Sequence, residues 1–314
     1  MPEQVLISAA TEVPVFFKGG REDLFGVLTV PTGGTRGIGV MAVAGGGYIA
    51  APNRNRLSVR LAAMLAPLGY HVFRFDYHGV GESTGYIRRY ALDKPFVQDL
   101  EAAASVMRGS GLRRLVCVGG CFGTRTILAG AERIPELEAV VLMAAPVRNP
   151  RLGDNLSLRV ARKTSFWRLA RLALRRETLQ ALLSPADAES KVRARHLYKG
   201  TIAFKTRLML DRVVRRGRAV DRTPKAVADP GFAHSLAHVV DRKVSVLMLY
   251  GHNEEFQEDF LRVRNGELRP VFERARAPLD VEILDRPLHG FTTIAVQDAA
   301  IKHTVAWLER IFRA

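Results

Sequence analysis

The sequence is poor in cysteine and lacks any long apolar run. Its 314 residues include only two cysteines, Cys117 and Cys121, which lie four positions apart. Two cysteines at this spacing form neither a disulfide framework nor a zinc-binding pattern. No apolar run approaches the ~18 residues that a membrane-spanning helix needs. These absences favour a protein with free thiols and no membrane span, in a reducing compartment such as the cytoplasm.

The first residues also lack the features of a secretory leader. The stretch MPEQVLISAATEVPVFF contains acidic residues and has no basic region before its apolar part. We therefore expect no signal peptide and a cytoplasmic location. The composition, with 47% hydrophobic and 25% charged residues, is that of an ordinary globular chain. The length fits one large domain, or one domain that carries an insertion.

What the sequence does contain is a regular alternation of β-type and helical runs. Two runs near the N-terminus, 14–17 and 24–31, have the pattern of an antiparallel hairpin. Further strands are expected at 37–47, 70–84, 113–118, 137–146, 243–251 and 279–285. Helical runs separate them at 56–69, 94–108, 121–133 and 296–312. This alternation predicts an α/β fold with a mostly parallel central sheet and helices on both faces.

The alternation stops between residues 147 and 240, and most of this segment is strongly basic. Residues 148–225 contain 21 Lys and Arg against 6 Asp and Glu, a net charge of +15. The rest of the chain contains 26 basic and 25 acidic residues, a net charge of +1. The local pattern, as in SFWRLARLALRRETLQALL, is that of an amphipathic helix. We therefore predict an α/β core made of residues 1–146 and 241–314, and an inserted basic helical cap at 147–240.

The stretch VCVGGCFGTRTILAG joins a predicted strand to a predicted helix through a tight turn. In its G-x-C-x-G pattern, Gly119 and Gly123 flank the turn because side chains there would clash with the neighbouring strand and helix. Such a turn lifts Cys121 clear of the sheet and points the backbone N–H of Phe122 at any negative charge formed there. The helix N-terminus is expected to lower the pKa of the thiol. We predict that Cys121 is a nucleophile. The alternative is that the stretch is only a glycine turn with a buried cysteine. Cys117, on the strand, is predicted to be a core residue.

A nucleophilic thiol needs a base, and the base needs an acceptor that orients it. His289 follows a predicted strand, and Glu254 lies three residues past the end of another. Both positions are at the carboxyl ends of strands, where the sites of such sheets form. We predict a triad of Cys121, His289 and Glu254. Glu255 and Asn253 remain alternatives for the acid, and Glu255 is the stronger of the two.

With these residues the chain resembles the α/β-hydrolase superfamily from about residue 13 to the end, except in the cap. DYHGVGES resembles the D-x-x-G-x-G-x-S loop, with His78 where arginine is frequent. VAGGG resembles the oxyanion strand end, with Ala44 at the usual histidine position. This resemblance implies that Gly46 supplies a second oxyanion N–H beside that of Phe122. The cysteine elbow is similar to those of dienelactone hydrolases, polyhydroxyalkanoate synthases, thioesterases and a hydrolase family associated with the exosortase system.

A cysteine at this position favours acyl transfer. Attack of a thiolate on a thioester is nearly thermoneutral, and the resulting acyl-cysteine stays activated for water or another acceptor. We expect a thioesterase or acyltransferase for CoA- or carrier-linked acyl groups, and the alternative is an ester or lactone hydrolase of the dienelactone-hydrolase type. A non-catalytic, hydrolase-like binding protein is the alternative of another class. No cofactor or metal is expected, because HSLAH lacks the glutamate of a metal-binding helix motif.

The charge of the cap indicates an anionic partner. CoA and acyl carrier protein are both anionic, and a positive surface steers such ligands inward. Peripheral contact with an anionic membrane is a rival interpretation, supported by Phe166 and Trp167 beside Arg168. An arginine-rich face that is merely solvated is the third. No nucleic-acid-binding motif accompanies the charge, so a nucleic-acid partner is not expected.

Overall fold

A computed structural model describes residues 10–87, 90–149 and 228–313 of the chain. The centre of this part is an eight-stranded sheet with the order β1-β2-β4-β3-β5-β6-β7-β8. The strands are β1 (Ala10–Gly19), β2 (Glu22–Pro31), β3 (Ile38–Val43), β4 (His71–Phe75), β5 (Arg114–Gly120), β6 (Leu137–Met143), β7 (Ser245–Gly251) and β8 (Leu279–Leu284).

The sheet is antiparallel at one edge and parallel everywhere else. Strands β1 and β2 form the predicted hairpin, in which Phe16 lies opposite Phe25, and β2 runs antiparallel to β4. From β4 through β3, β5, β6 and β7 to β8, all neighbouring strands are parallel. The predicted fold class is confirmed. The carboxyl ends of the parallel strands therefore meet at one edge of the sheet, where their loops can build a common site.

Helices cover both faces of the sheet. They are α1 (Leu57–Leu65), α2 (Val97–Gly109), α3 (Phe122–Gly130), α4 (Pro230–Asp241), α5 (Glu255–Arg264), α6 (Arg269–Glu273) and α7 (Ile294–Ile311). Side chains of α1 and α7 pack on one face, and those of α2, α3 and α4 pack on the other. No helix in the described ranges is long and apolar enough to cross a bilayer.

The central strands are buried on both faces, and their side chains alternate between two cores. On β3, Val40 and Ala42 point toward α1 and α7, whereas Met41 points toward α2 and α3. This alternation follows from the two-residue period of a strand. On β5, Cys117 is fully buried on the α2 and α3 side. It is therefore a core residue.

Three of the helices were not predicted. Helix α4 begins at Pro230, and the Asp229 carboxylate caps it by accepting the N–H of Phe232 at 3.0 Å. Proline at the first position and aspartate at the N-cap are recognised helix-start signals. The signal was present in the sequence but was assigned to the cap. Helices α5 and α6 contain ten and five residues, and both lie between β7 and β8, where the sequence analysis placed no helix.

The described residues belong to one compact unit, which is made of residues 1–149 and 226–314. The part of the predicted cap that falls within this description, helix α4, packs against α3. Residues 150–227, including the amphipathic stretch expected at 165–183, lie outside the described residues. The limits of the cap therefore stay a prediction.

A buried arginine holds together the two points between which residues 150–227 are inserted. The Arg125 guanidinium on α3 donates to the Pro146 carbonyl at 3.2 Å, to Asn149 Oδ1 at 3.1 Å and to the Asp229 carboxylate. Asn149 Nδ2 donates to the same carboxylate at 2.7 Å. The backbone N–H of Asp229 donates to the Val147 carbonyl at 2.8 Å. Both ends of the insertion are thus fixed to the helix that follows Cys121.

We predict that Asp229→Asn lowers the free energy of unfolding by about 3 kcal/mol, because it leaves the Arg125 charge buried without a counter-ion. Asparagine keeps an oxygen that can accept the N-cap hydrogen bond, so the loss of stability measures the effect of removing the negative charge. Denaturant titration measures it, and the double variant Arg125→Met/Asp229→Asn should recover part of it. Glu273→Gln breaks an exposed pair with Arg269 and is the control, with an expected loss below about 1 kcal/mol. Equal losses in Asp229→Asn and Glu273→Gln would contradict the prediction.

Candidate active site

Cys121 occupies a strained turn between β5 and α3. Its backbone has φ 43° and ψ −113°, a conformation that costs a non-glycine residue about 1–3 kcal/mol. The Cys121 N–H donates to the Met143 carbonyl at 2.9 Å. The Cys121 carbonyl accepts from the Thr124 N–H at 3.1 Å and from its hydroxyl at 2.6 Å. These hydrogen bonds hold the turn from both sides, so the predicted elbow is present.

The two glycines of the elbow are required by close packing. A Cβ on Gly123 would lie 2.6 Å from the Ala44 carbonyl oxygen and 2.9 Å from that of Val43. A Cβ on Gly119 would lie 2.8 Å from Cδ1 of Ile127. The first turn of α3 therefore rests directly on the end of β3. No larger residue fits at position 123 without moving backbone atoms.

The thiol of Cys121 is less acidic than an ordinary cysteine. Burial raises the pKa of Cys121 to about 11, and the negative charge of Glu254 adds to the rise. A hydrogen bond from the Phe122 N–H lowers this pKa by less. The first N–H of the helix therefore lowers the pKa as expected, but loss of solvent raises it by more, and the net shift is upward. A thiol with this pKa is mostly protonated at neutral pH.

Glu254 connects the loop after β7 to the loop that carries His289. Its buried carboxylate accepts the Gly251 N–H at 2.9 Å on Oε1. Its Oε2 accepts the N–H groups of Leu288 at 2.8 Å and of His289 at 2.7 Å. One carboxylate thus fixes the backbone on both sides. The structure therefore places Glu254 against the backbone of His289, and a role of Glu254 in orienting the imidazole stays a prediction.

Glu255 and Asn253, the two other candidates for the third member of the triad, are placed differently. Glu255 lies in the first turn of α5 and pairs with Arg148 at 3.5 Å. Arg148 also pairs with the buried Asp259. Asn253 occupies the left-handed region with φ 58°. Among these residues, Glu254 is the one that holds the histidine loop.

The histidine loop lies against the strand that carries Cys121. The ring of Phe291 packs over Gly120, where a Cβ would lie 2.6 Å from the ring. The ring of His289 meets the edge of Phe256, with ring centroids 4.4 Å apart. The three predicted triad residues are thus on neighbouring loops at one edge of the sheet. A direct contact between the side chains of Cys121 and His289 is a proposal.

The two predicted oxyanion donors do not point to a common position in this conformation. The Phe122 N–H donates to the Gly45 carbonyl at 3.2 Å. The Gly45 carbonyl and the Gly46 N–H belong to one peptide group, and the described residues contain no cis peptide. In a trans peptide these two groups point in opposite directions. The Gly46 N–H therefore points away from the region that the Phe122 N–H addresses.

A family profile with the description alpha/beta hydrolase fold matches residues 45–232. The chain belongs to the α/β-hydrolase family. It is a hydrolase of the α/β fold, in agreement with the resemblance noted in the sequence. No protein of curated function matches it.

Solved structures with the same fold are numerous. An esterase from Pyrococcus furiosus is 14% identical, with 99% of this chain and 94% of that chain covered and a TM-score of 0.56. A serine hydrolase from Cycloclasticus zankles is 16% identical, with 97% and 100% covered and a TM-score of 0.53. An esterase domain from Rhodothermus marinus is 18% identical, with 96% and 99% covered and a TM-score of 0.52. At these identities the likeness shows the fold alone.

The D-x-x-G-x-G-x-S loop of this α/β-hydrolase is a structural clamp. The buried Asp76 carboxylate accepts the backbone N–H groups of Ala51 and Glu82. Gly81 has φ 57°, and a Cβ there would lie 2.1 Å from Asp76 Oδ2. The Ser83 hydroxyl donates to the Asp76 carbonyl at 3.0 Å. The motif thus ties the loop after β4 to the glycine-rich loop after β3.

His78, where the family often has arginine, pairs with a buried carboxylate. The Nδ1 atom of its ring lies 2.7 Å from Asp99 Oδ2, and its backbone N–H donates to the same oxygen at 2.9 Å. Burial raises the pKa of Asp99, whereas the hydrogen bonds and charge of His78 lower it. The sequence analysis missed this pair because nothing in the local pattern links α2 to the loop.

The sequence analysis also missed aromatic residues that surround the elbow. The ring of Tyr90 lies against Phe122, with centroids 4.7 Å apart, and against Tyr48 at 5.4 Å. Tyr48 is 66% exposed and Tyr90 is 39% exposed. Aromatic residues in loops carry no periodic signal, so only the folded structure shows that Tyr90 lies against the elbow, whereas Tyr48 contacts Tyr90 from the solvent side.

Other features of the described residues do not extend the site. No group of three or more His, Cys, Asp or Glu side chains there could hold a metal ion. His234 Nε2 and His238 Nδ1, from the HSLAH stretch, each lie 3.9 Å from Glu132 Oε1 on the surface of the helical layer. A cavity of about 1200 Å³ opens beside β1, α1 and α7, and none of the three predicted triad residues is among its described lining.

We predict that alkylation of Cys121 is slow at neutral pH and accelerates about tenfold per pH unit toward about 11. The reason is that only the thiolate reacts, and burial keeps the thiol protonated. An ordinary thiol would instead level off near its pKa of about 8.5. The rate constant of reaction with iodoacetamide in a Cys117→Ala background measures the profile, with Cys121→Ala as the blank. A plateau already reached at neutral pH would show a preformed thiolate and contradict the prediction.

Proposed function

We propose that this α/β-hydrolase transfers acyl groups through a triad of Cys121, His289 and Glu254 and an acyl-cysteine intermediate. The observation that carries the proposal is the pairing of a strained cysteine elbow with a buried carboxylate that holds the histidine loop. The substrates that fit this chemistry best are thioesters of CoA or of an acyl carrier protein.

The chemistry begins with proton transfer from the Cys121 thiol to His289. The thiolate attacks the carbonyl carbon of the substrate, and the carbon–oxygen double bond opens to an oxyanion that accepts the Phe122 N–H. When the carbonyl re-forms, the bond to the leaving thiol breaks, and His289 returns the proton to the leaving sulfur. Water, activated by His289, then attacks the acyl-cysteine and releases the carboxylic acid. An alcohol, amine or thiol in place of water gives acyl transfer.

The raised pKa of Cys121 supports the requirement for a base. A thiol that stays protonated at neutral pH cannot attack until His289 accepts its proton. The buried negative charge of Glu254 favours the imidazolium form of His289 that results. The same charge disfavours an isolated thiolate, so the proton transfer and the attack are coupled.

An ester or lactone hydrolase is the second candidate function. The observation that favours it is the likeness to solved esterases, from Pyrococcus furiosus and from Rhodothermus marinus. The same triad would hydrolyse an oxygen ester through the same acyl-cysteine. A non-catalytic binding protein would keep the elbow without forming this intermediate, so a covalent adduct separates it from both enzymes.

We predict that wild-type protein gains the mass of one acyl group on Cys121 when mixed with a reactive acyl thioester, and that Cys121→Ala gains none. Cys121→Ser should be severely slowed, because His289 would have to deprotonate a much weaker acid. Intact-protein mass spectrometry and peptide mapping measure the adduct. An adduct of equal yield in Cys121→Ala would overturn the assignment of the nucleophile.

Glu254→Gln should lower turnover of the same substrate by tens- to thousands-fold, within the range for losing a triad acid. Glu255→Gln is the matched control one residue away and should stay near the wild-type rate, since Glu255 pairs with Arg148. Unfolding midpoints of both variants separate a catalytic loss from a folding defect. A loss confined to Glu255→Gln would transfer the role to that residue.

We also propose that the basic segment at 148–225 attracts anionic acyl carriers. This segment carries +15 of the net charge of +16, so nearly all of the net positive charge of the chain lies within it. Phosphate groups of CoA, or the acidic surface of a carrier protein, complement this charge. Contact with an anionic membrane surface remains the rival proposal, with Phe166 and Trp167 as the apolar anchors.

We predict that kcat/KM for an acyl-CoA falls steeply between low and moderate salt, whereas kcat/KM for a neutral thioester with the same acyl chain barely changes. The reason is that salt screens attraction between exposed charges. Equal salt sensitivity of the two substrates would contradict steering. Co-sedimentation with anionic and with neutral vesicles at the same salt tests the membrane proposal separately.

A further inference from the structure

The side chain of Tyr90 lies directly over the glycine loop that follows β3. A Cβ on Gly47 would lie 2.3 Å from Cδ2 of the tyrosine ring. A Cβ on Gly46 would lie 3.8 Å from the Tyr90 hydroxyl oxygen. Glycine at these two positions therefore lets the tyrosine approach the backbone. The hydroxyl ends beside the residue that was expected to bind the oxyanion.

The same ring also contacts the elbow. Tyr90 and Phe122 are tilted against each other by 52° with centroids 4.7 Å apart, and Phe122 follows Cys121. Burial raises the pKa of Tyr90, and the negative form of Cys121 raises it further. The raised pKa keeps the hydroxyl protonated at neutral pH.

The hydroxyl has a proton to donate. A hydrogen bond from the Gly47 backbone stabilises the deprotonated form of Tyr90, which places this N–H on the acceptor side of the oxygen. A tyrosine hydroxyl accepts and donates at the same time. The O–H proton is therefore left to donate to a second partner.

The site needs a donor of this kind. An oxyanion is normally held by two hydrogen bonds, and the Phe122 N–H is one of them. The second expected donor, the Gly46 N–H, is turned away because the Gly45 carbonyl faces Phe122. The Tyr90 hydroxyl lies beside Gly46 in the same loop, and its ring packs against Phe122.

We propose that Tyr90 is a catalytic residue whose hydroxyl donates the second hydrogen bond to the oxyanion, in place of the Gly46 N–H. The inference rests on the proposed acyl-transfer function. The oxyanion displaces the Gly45 carbonyl as acceptor of the Phe122 N–H, since it is the stronger acceptor. Tyr90 keeps its proton throughout, and its hydrogen bond weakens again when the carbonyl re-forms.

The test is Tyr90→Phe, which removes the hydroxyl and keeps the ring against Phe122. The rate constant for acylation of Cys121, measured as the burst of released thiol, should fall by about 100-fold, as for loss of one oxyanion donor. The substrate concentration that gives half of the maximal burst rate constant should change by less than about twofold, because the bond forms only in the transition state. Tyr48→Phe removes the hydroxyl of the neighbouring exposed tyrosine and should leave the burst unchanged.

A second measurement reports the oxyanion itself. A trifluoromethyl ketone forms a tetrahedral adduct with a cysteine nucleophile, and its oxygen carries the negative charge. Tyr90→Phe should weaken binding of this ketone by a factor similar to the loss in acylation. Titration counts folded sites only, so the result stands even where part of the variant is unfolded.

The outcomes separate this inference from the proposed function. If wild-type protein forms no adduct on Cys121 with any acyl substrate, the acyl-transfer function and the role of Tyr90 both fail. If wild-type protein acylates and Tyr90→Phe acylates at the same rate with unchanged ketone affinity, the function stands and the role of Tyr90 is overturned. The second result would assign the donor to the Gly46 N–H after a turn of its peptide.

Discussion

The contact between the first turn of α3 and the end of β3 is the constraint on which the site depends. Backbone oxygens of β3 fill the space beside Gly123, so the helix starts against the sheet without any side chain between them. The chain can enter the helix at this distance only through the positive φ of Cys121. The reactive side chain, the helix N-terminus and the glycine loop are consequently brought to one place by a single close approach.

The sheet and the elbow could be predicted because each rests on a local pattern. Alternating runs specify buried strands, and G-x-C-x-G specifies a tight turn whatever surrounds it. The direction of the Cys121 pKa shift could not be predicted, because burial depends on residues far away in sequence. The orientation of the Gly45–Gly46 peptide and the approach of Tyr90 depend on packing between loops. Sequence patterns do not encode either of them.

Glu254 joins a structural role to the catalytic role proposed for it. Its carboxylate accepts hydrogen bonds from three backbone N–H groups in two loops, and these bonds fix the position of the His289 backbone. The sequence offered two adjacent glutamates, and the distinction between them came from the partner of each. Glu255 is drawn to Arg148, at one end of the basic insertion. Glu254, the acid of the proposed triad, therefore differs from Glu255 in the loops to which it is hydrogen-bonded.

The protonated state of Cys121 has a consequence for its chemistry with oxidants. Peroxide oxidises thiolates to sulfenic acid, and a thiol with a pKa of about 11 presents almost none at neutral pH. The other cysteine, Cys117, is fully buried on β5 and faces the helical layer, so it cannot reach a sulfenic acid as a resolving partner. Burial and the charge of Glu254 both keep the fraction of thiolate low, so the features that make the proposed reaction depend on a base also slow the reaction of Cys121 with peroxide.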